Sequence, residues 1–589
     1  MSADKHPISA FIGVHRRLLP CLWLFAATPA LAVSRIEIHI GQISHPSAQV
    51  ENLTATVNAD GHWQGIANLK QADLAALSKN YALPVNVSKG TASGRAEFAG
   101  EGRELKRLKA DLDLRDATFS DADGLHAGEK IGGRVKLDAS RGNERWQGQA
   151  GIQWREGEVF WQPLYLTAGH ALQVQGWWTT ESLQVDVGSA ELSGIGKVAF
   201  SGRLNMADKS VASLELSGRD LHADKGYEAL AKPFLGKTML GNLETAGSLD
   251  IQASLSGGQL NAFRLMLHDV DVEDKNGRFA LYKVNASVPW VLNSITTANV
   301  RFNGGRILKL ALGEADLAAN LEGWSLTATE WKVPVLDGAV ILRNISAAVR
   351  DSKWYGHFAS QLAPISMGEF SHALGWPRME GRLGATVPLV TYSDGELAMD
   401  GAMQFDIFDG QVAVSNLALH QPLGLAPRFN ADIRMRNLDL DLLTRTFSFG
   451  AMSGHLDGDV SGLELSSWKP VKFDASFRSS PGRYPKKISQ RAVENISALG
   501  GAGAAAAIQR SFLRFFKEFN YDRIGLSCRL RNGICAMDGI EPVQGGYVIV
   551  KGSGIPAITV LGYNRNVSWE ELLERVQRIT QGNTKPVVK

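Results

Sequence analysis

Cysteine is nearly missing from this chain, with three in 589 residues, and that excludes a disulfide-rich scaffold. An excess of one charge is missing too. Lys and Arg number 62 against 60 Asp and Glu, a formal net charge of +2. No basic block or aromatic-interleaved basic stripe occurs, which argues against nucleic acid as a partner. No apolar run reaches the ~20 residues of a membrane-spanning helix. The thirteen histidines are scattered, without H-E-x-x-H or another ligand spacing, and no G-x-S-x-G elbow accompanies them. Catalytic residues, metal ligands and cofactors are therefore not expected, and the protein does not read as an enzyme. Pro- or Ser-rich linkers are absent, which argues against beads on a string. A repeat of fixed period is absent as well.

Glycine, by contrast, is plentiful at 61 residues, recurring as turn punctuation does in an all-β chain. At this length one compact core is too little, so several domains or an extended architecture is expected. The N-terminus reads as an export signal over residues 1–32. His15, Arg16 and Arg17 form a basic region, residues 18–27 an apolar one, and Ala30-Leu31-Ala32 an A-x-A cleavage site. A short uncleaved membrane anchor is the alternative. Cys21 falls inside this segment, which leaves Cys528 and Cys535 for the exported chain.

From residue 33 to 477 the dominant signal is period-two alternation. Leu108, Ala110, Leu112 and Leu114 interleave with Lys109, Asp111, Asp113 and Arg115. Leu249, Ile251, Ala253 and Leu255 do the same, and Phe263, Leu265 and Leu267 continue it. Such strands are apolar on one face and wet on the other, as antiparallel sheets require. Helical signals are short, at residues 72–77 and 227–234. Three arrangements would cover the apolar face: stacked sandwiches, a closed barrel, or a sheet that curls on itself and leaves an apolar trough. Acidic pairs such as Asp271/Glu273 and Asp457/Asp459 are expected on solvent faces.

Residues 478–589 form a different, α+β region. Gly501-Ala502-Gly503-Ala504-Ala505-Ala506 matches a dinucleotide fingerprint as a string, but helical sequence precedes it where a strand is needed. Ile508, Phe512, Phe515, Phe516 and Phe519 are spaced as one face of a helix. Asn532-Gly533 is a two-residue hairpin turn that sets Leu530 opposite Cys535 and Cys528 opposite Met537. The two sulfurs then share one face, and in an exported protein a disulfide is expected. Tyr547, Val548, Ile549 and Val550, with Ile558 and Val560, form apolar strands whose edge is a candidate for strand addition by a partner. Ser568-Trp569-Glu570-Glu571 is a capping box. It opens a final helix with Leu572, Leu573, Val576 and Ile579 on one side, expected against the end of the sheet.

A family resemblance rests on these later residues. Phe405-Asp406-Ile407-Phe408-Asp409-Gly410-Gln411-Val412 with Asn416-Leu417-Ala418-Leu419 resembles the F-x-G-x-[VL] pattern of the AsmA-like superfamily. Asn437-Leu438-Asp439-Leu440, Phe447-Ser448-Phe449-Gly450 and Gly454-His455-Leu456-Asp457-Gly458 resemble its continuation. Ile488-Ser489-Gln490-Arg491-Ala492-Val493, Ser497-Ala498-Leu499-Gly500-Gly501 and Arg510-Ser511-Phe512-Leu513-Arg514-Phe515-Phe516 are similar to the YdbH group. So are Ile524-Gly525-Leu526-Ser527-Cys528, Gly554-Ile555-Pro556 and Gly562-Tyr563-Asn564-Arg565. The resemblance spans roughly the last third of the chain and is one of pattern alone upstream.

It implies an elongated, twisted antiparallel β-groove with few short helices, residing in the periplasm of a Gram-negative bacterium. The expected activity is conduction of phospholipid between inner and outer membranes, with a small outer-membrane lipoprotein as partner at the C-terminal strands. Attachment to the inner membrane would be direct or through another protein, because family members typically keep an anchor where this chain has a cleavable-looking signal. Leu108, Leu112, Leu114, Leu249, Ile251, Leu255, Phe263, Leu265 and Leu267 are a sample of the groove lining. TamB-like relatives imply an alternative, assembly of outer-membrane proteins, and a structural exported β-protein is the third reading.

Overall fold

A computed structural model describes residues 34–79, 85–142, 144–208, 210–236, 238–351, 353–421, 426–500 and 515–580. The export signal and the Gly501–Ala506 string lie outside the described residues. So do Ile508 and Phe512 of the aromatic set. The fold is mainly β: strands paired antiparallel in sequence order, with few short helices. The chain divides into two compact units. The first comprises Met1–Gly236, Leu240–Val272 and Asn285–Thr296; the second Lys237–Met239, Glu273–Val284 and Thr297–Lys589.

In the first unit the strands Arg35–His45, Ala48–Asn58, His62–Asp73, Asn86–Glu101, Glu104–Ser120, His126–Arg141 and Trp146–Trp161 form a meander. It runs on through Ala171–Trp178, Ser182–Leu192, Gly196–Asn205, Val211–His222 and Leu243–Ser256. The short helix Leu74–Ser78 starts where Asp73 accepts the Ala75 and Ala76 N–H groups, an N-cap that satisfies otherwise orphaned donors. The second helical segment is Ala223–Gly226, a π-helical turn Tyr227–Ala231, and Lys232–Leu235.

The strands are not straight. Asn52, Asp116, Lys130 and Asp220 hold φ of 52°, 53°, 53° and 52°, each inside a ladder irregularity. A bulge of this kind bends its strand and increases the local twist. Asn and Asp tolerate the left-handed region better than most side chains do.

The second unit repeats the plan. Ser325–Val335, Gly338–Arg350, Lys353–Ser366 and Gly381–Ser393 are followed by Glu396–Asp400 and Ala402–Ile407, which lie end to end along Gly381–Ser393. Gly410–His420, Arg428–Asp439, His455–Ser466, Lys469–Ser479, Glu518–Arg531 and Ile534–Gly539 complete the ladder. Asn344, Asn416 and Asn437 again sit at bulges with positive φ. Residues 478–589 belong to this unit rather than standing apart, because Glu518–Arg531 pairs directly with Lys469–Ser479.

A large buried cluster lies in that region. Ile488, Val493, Phe519, Tyr521, Tyr547, Ile549, Val550 and Val560 are almost fully buried together. Phe519 is a correction to the expected aromatic helix: it lies in strand Glu518–Arg531 and is buried there. Its neighbours Tyr521 and Ile524 share that burial, so a strand with apolar alternation wins over the helical spacing. Asp457 is a second correction. It is buried and accepts from Ser480 Oγ at 2.6 Å and the Asn437 N–H at 2.9 Å, so it closes a bulge rather than facing solvent.

Candidate functional site

Opposed residues on antiparallel strands share a face, so the register shows what each face carries. In the first unit one row runs Gly94, Leu112, Val135, Ile152, Leu172, Ala190, Val198, Gly218, Ile251. A second runs Phe98, Leu108, Ala139, Gly148, Gly176, Val185, Gly202, Leu214, Leu255 through the same pairings. Between them lie Ala96, Ala110, Leu137, Ala150, Val174, Gly188, Phe200, Leu216 and Ala253. Every position is apolar or glycine. The other face reads Glu97, Lys109, Asp138, Gln149, Gln175, and Arg134 there grips Asp111 with two 2.6 Å hydrogen bonds.

Most of the apolar rows are half-buried rather than closed; Ile152 is 42% exposed. The rings that project from this face are folded down. A side chain added at Gly188 would meet the Phe200 ring at 2.5 Å, and one at Gly65 the Phe98 ring at 2.6 Å. Each phenyl group therefore occupies the space that a side chain on the neighbouring strand's glycine would take. Over the Gly188–Phe200–Leu216–Ala253 row lies a cavity of about 520 Å³. Phe263 and the distant Pro289, Trp290 and Val291 complete its lining, so the sheet of this unit curls round it.

The expected groove residues separate into three groups. Leu108, Leu112 and Leu255 are in the open rows, and Leu114 lies beyond them beside buried Ala92. Leu249 and Ile251 pack on a closed cluster of Ile195, Val198 and Leu221, under the helical segment that contributes Ala229. Phe263 lines the cavity. Leu265 and Leu267 follow Phe263 at period two and so alternate to the same side, while Arg264 lines this cavity and also, with Met266, Arg219, Asp250 and Gln252, a second pocket.

The second unit carries its own apolar face. One row runs Leu321, Leu326, Ala347, Gly356, Tyr392, Leu397, Leu419, Phe429, Leu465, again half-buried. Another runs Met403, Val414, Ile433, Val460, Ala475, Cys528, Met537. The helix Trp569–Thr580 lies over the end of this second row. Between them is a cavity of about 370 Å³, lined by Ile433, Val460, Phe473, Phe477, Leu526 and Met537 below and Leu499, Trp569, Leu572, Leu573 and Val576 above. Trp569 packs edge-on against Phe473 with ring centroids 5.2 Å apart, and Arg575 holds the helix by donating to the Leu499 carbonyl at 3.2 Å. Leu572 is buried, while Leu573 and Val576 are each 40% exposed although they line the cavity.

The cysteine hairpin forms as its turn demands. Asn532 and Gly533 take φ of 52° and 75°, Leu530 faces Cys535 and Cys528 faces Met537. Cys528 and Cys535 are joined in a disulfide with Cα atoms 5.4 Å apart, and Cys528 sits in the cavity lining.

Of the two candidate partner strands, Gly546–Gly552 is corrected as an open edge, while Val560–Gly562 pairs only with it among the described residues. Gly546–Gly552 is paired on both sides, to Tyr521–Ile524 and Glu541–Val543 on one and to Val560–Gly562 on the other. Tyr547, Val548, Ile549, Val550, Ile558 and Val560 are all buried. A continuous apolar run is the signature of a strand covered on both faces, and an exposed edge would carry charges instead. The alternating rows were legible in the sequence; the bulges and the aromatic-on-glycine contacts were not, because they depend on the neighbouring strand.

Among the described residues no group of three His, Cys, Asp or Glu side chains is placed to hold a metal ion, and no helix is long and apolar enough to cross a membrane. No protein-family model, curated protein or solved structure matches the chain.

Proposed function

We propose that this protein conducts phospholipid between the inner and outer membranes, working in the periplasm with its apolar sheet faces as the path. One observation carries the reading: each unit presents rows of apolar side chains and glycine, most of whose positions remain half-open. A folded chain normally closes such a face into a core. Keeping each acyl CH₂ out of water is worth about 0.8 kcal/mol, so a tail would remain on the face while its headgroup stays in solvent. No proton or electron moves, and no catalytic group is required. The resemblance to AsmA-like proteins supports the same reading. A small outer-membrane lipoprotein remains the proposed partner of the C-terminal region, without Gly546–Gly552 as its edge.

The test is the lipid content of the purified chain. Native mass spectrometry is expected to detect phospholipid-sized adducts that leave when the protein is washed with a detergent of short chain. Protein that carries no lipid after mild extraction from envelopes, and takes none from vesicles, would contradict conduction.

A second reading has one observation in its favour. Among the described residues, strand Arg35–His45 pairs only with Ala48–Asn58, so one edge is open to template another strand, as an assembly factor for outer-membrane proteins would require. Crosslinks from that edge to nascent barrel strands would favour it over conduction.

A further inference from the structure

The second unit carries cations on three neighbouring elements where strand Glu518–Arg531 begins. Lys487, in the short strand Lys487–Ser489, lies opposite Asn520. The Gln490 N–H donates to the Lys517 carbonyl at 3.1 Å, which sets Arg491, in the first turn of helix Gln490–Gly500, beside Lys517. Arg483, Lys487, Arg491 and Lys517 are all exposed. The stretch 478–491 contains Arg478, Arg483, Lys486, Lys487 and Arg491 and no Asp or Glu. Of the nearby acidic groups, Glu518 pairs with Lys487 at 3.3 Å, Asp522 with Arg523 at 3.2 Å and Glu541 with Lys551 at 3.0 Å, and Glu494 accepts from the neutral Gln490 side chain.

Two large apolar side chains stand out of this positive ground. The loop bearing Ile555 is tied to the same strand, because the Asn520 N–H donates to the Pro556 carbonyl at 2.8 Å and Asn520 Nδ2 to the Ile555 carbonyl at 3.3 Å. With its backbone pinned inward, Ile555 points out and is 91% exposed. Phe515, just before Lys517, is 74% exposed.

We propose that this face docks on an anionic lipid surface. Ile555 and Phe515 enter the boundary between headgroups and acyl chains, and Arg483, Lys487, Arg491 and Lys517 engage headgroup phosphates. A protein partner would favour a contiguous apolar centre depleted of charge. Here the apolar groups are separate and set among Lys and Arg, the pattern that suits an interface of anionic lipid. The inference goes beyond conduction, since a surface can be bound without a lipid passing along the sheet.

The full chain is tested by co-sedimentation with vesicles of phosphatidylethanolamine and phosphatidylglycerol, and with neutral phosphatidylcholine vesicles. Binding to the anionic vesicles is expected, with loss at high salt as charges are screened. The combined variant Arg483→Glu, Lys487→Glu, Arg491→Glu is expected to bind at least roughly tenfold more weakly. Ile555→Asp, on a solvent-facing side chain that supports no core, is expected to weaken binding roughly fivefold with unchanged thermal unfolding. Equal binding to neutral vesicles, no binding to anionic ones, or anionic binding unaltered in both variants would overturn the proposal. Acyl crosslinking at Leu112, in the other unit, reports conduction separately, so either reading can fail without the other.

Discussion

Asp274 shows how single polar groups are settled in this chain. Its side chain is fully buried, Arg278 Nε and Nη2 donate to it at 2.7 and 2.8 Å, and the Arg278 N–H donates at 3.0 Å. The hydrogen-bonded guanidinium holds the Asp274 carboxyl far below the ordinary carboxylate range, against the opposing effect of burial. A carboxyl depressed in the folded state stabilises the fold above its unfolded pKa of about 4, and that contribution is lost as pH falls below it toward the folded value. Asp274→Asn should therefore lower stability at neutral pH by about 2 kcal/mol, measured by urea unfolding, with the gap to the parent chain narrowing below about pH 4. A gap that is the same at pH 7 and pH 3 would contradict the ion-pair account. The residue scale also holds what alternation cannot show. Asp457 reads as an outward polar position, yet its carboxylate closes the bulge at Asn437.

At the scale of elements, legibility follows how local the physics is. The Asn532-Gly533 hairpin, the alternating strands and the helix Trp569–Thr580 are decided by turn chemistry and period, and each is readable from neighbours in sequence. The bulges at Asn52, Asp116 and Asn416 are not, because an Asn or Asp held at positive φ looks like any solvent-facing residue until its partner strand is placed. Strand Gly546–Gly552 is paired on both sides, and apolarity alone cannot tell an open edge from a strand covered on both sides. The cysteine hairpin gives a test at this scale. Replacing Cys528 and Cys535 by Ala removes the cross-link that closes a short loop, at a cost of about 2 kcal/mol. Trp569 packs on Phe473 beside that hairpin, so its resonance in 19F-tryptophan-labelled protein should report unfolding at lower denaturant than in the parent. An unchanged transition would mean that the core around Cys535, and not the disulfide, holds the hairpin.

On the scale of the whole molecule, each of the two units carries a sheet face whose rows are apolar or glycine. Each unit is internally paired from strand to strand, and its apolar face stays half-open until a helical segment covers it, near Ile195 in one and over Phe473 in the other. Such a face is a liability in water unless it has an occupant, and exposed contiguous apolar area marks a binding surface. The occupant proposed here, the acyl part of a phospholipid, fits a path without polar interruptions. The lining is best sampled where the rows are open, at Leu112 and Leu255, rather than at Leu249, which packs into the closed cluster around Ile195.

Photo-crosslinking in intact cells tests that claim most directly. A photoreactive side chain would replace Leu112 or Leu255 on the apolar face, with Asp113, on the polar face, as the control. Phospholipid adducts at both leucine positions and none at Asp113 are the predicted result. Equal labelling at all three, or none at either leucine, would contradict an acyl-lined path and leave the apolar rows as a core without a passenger.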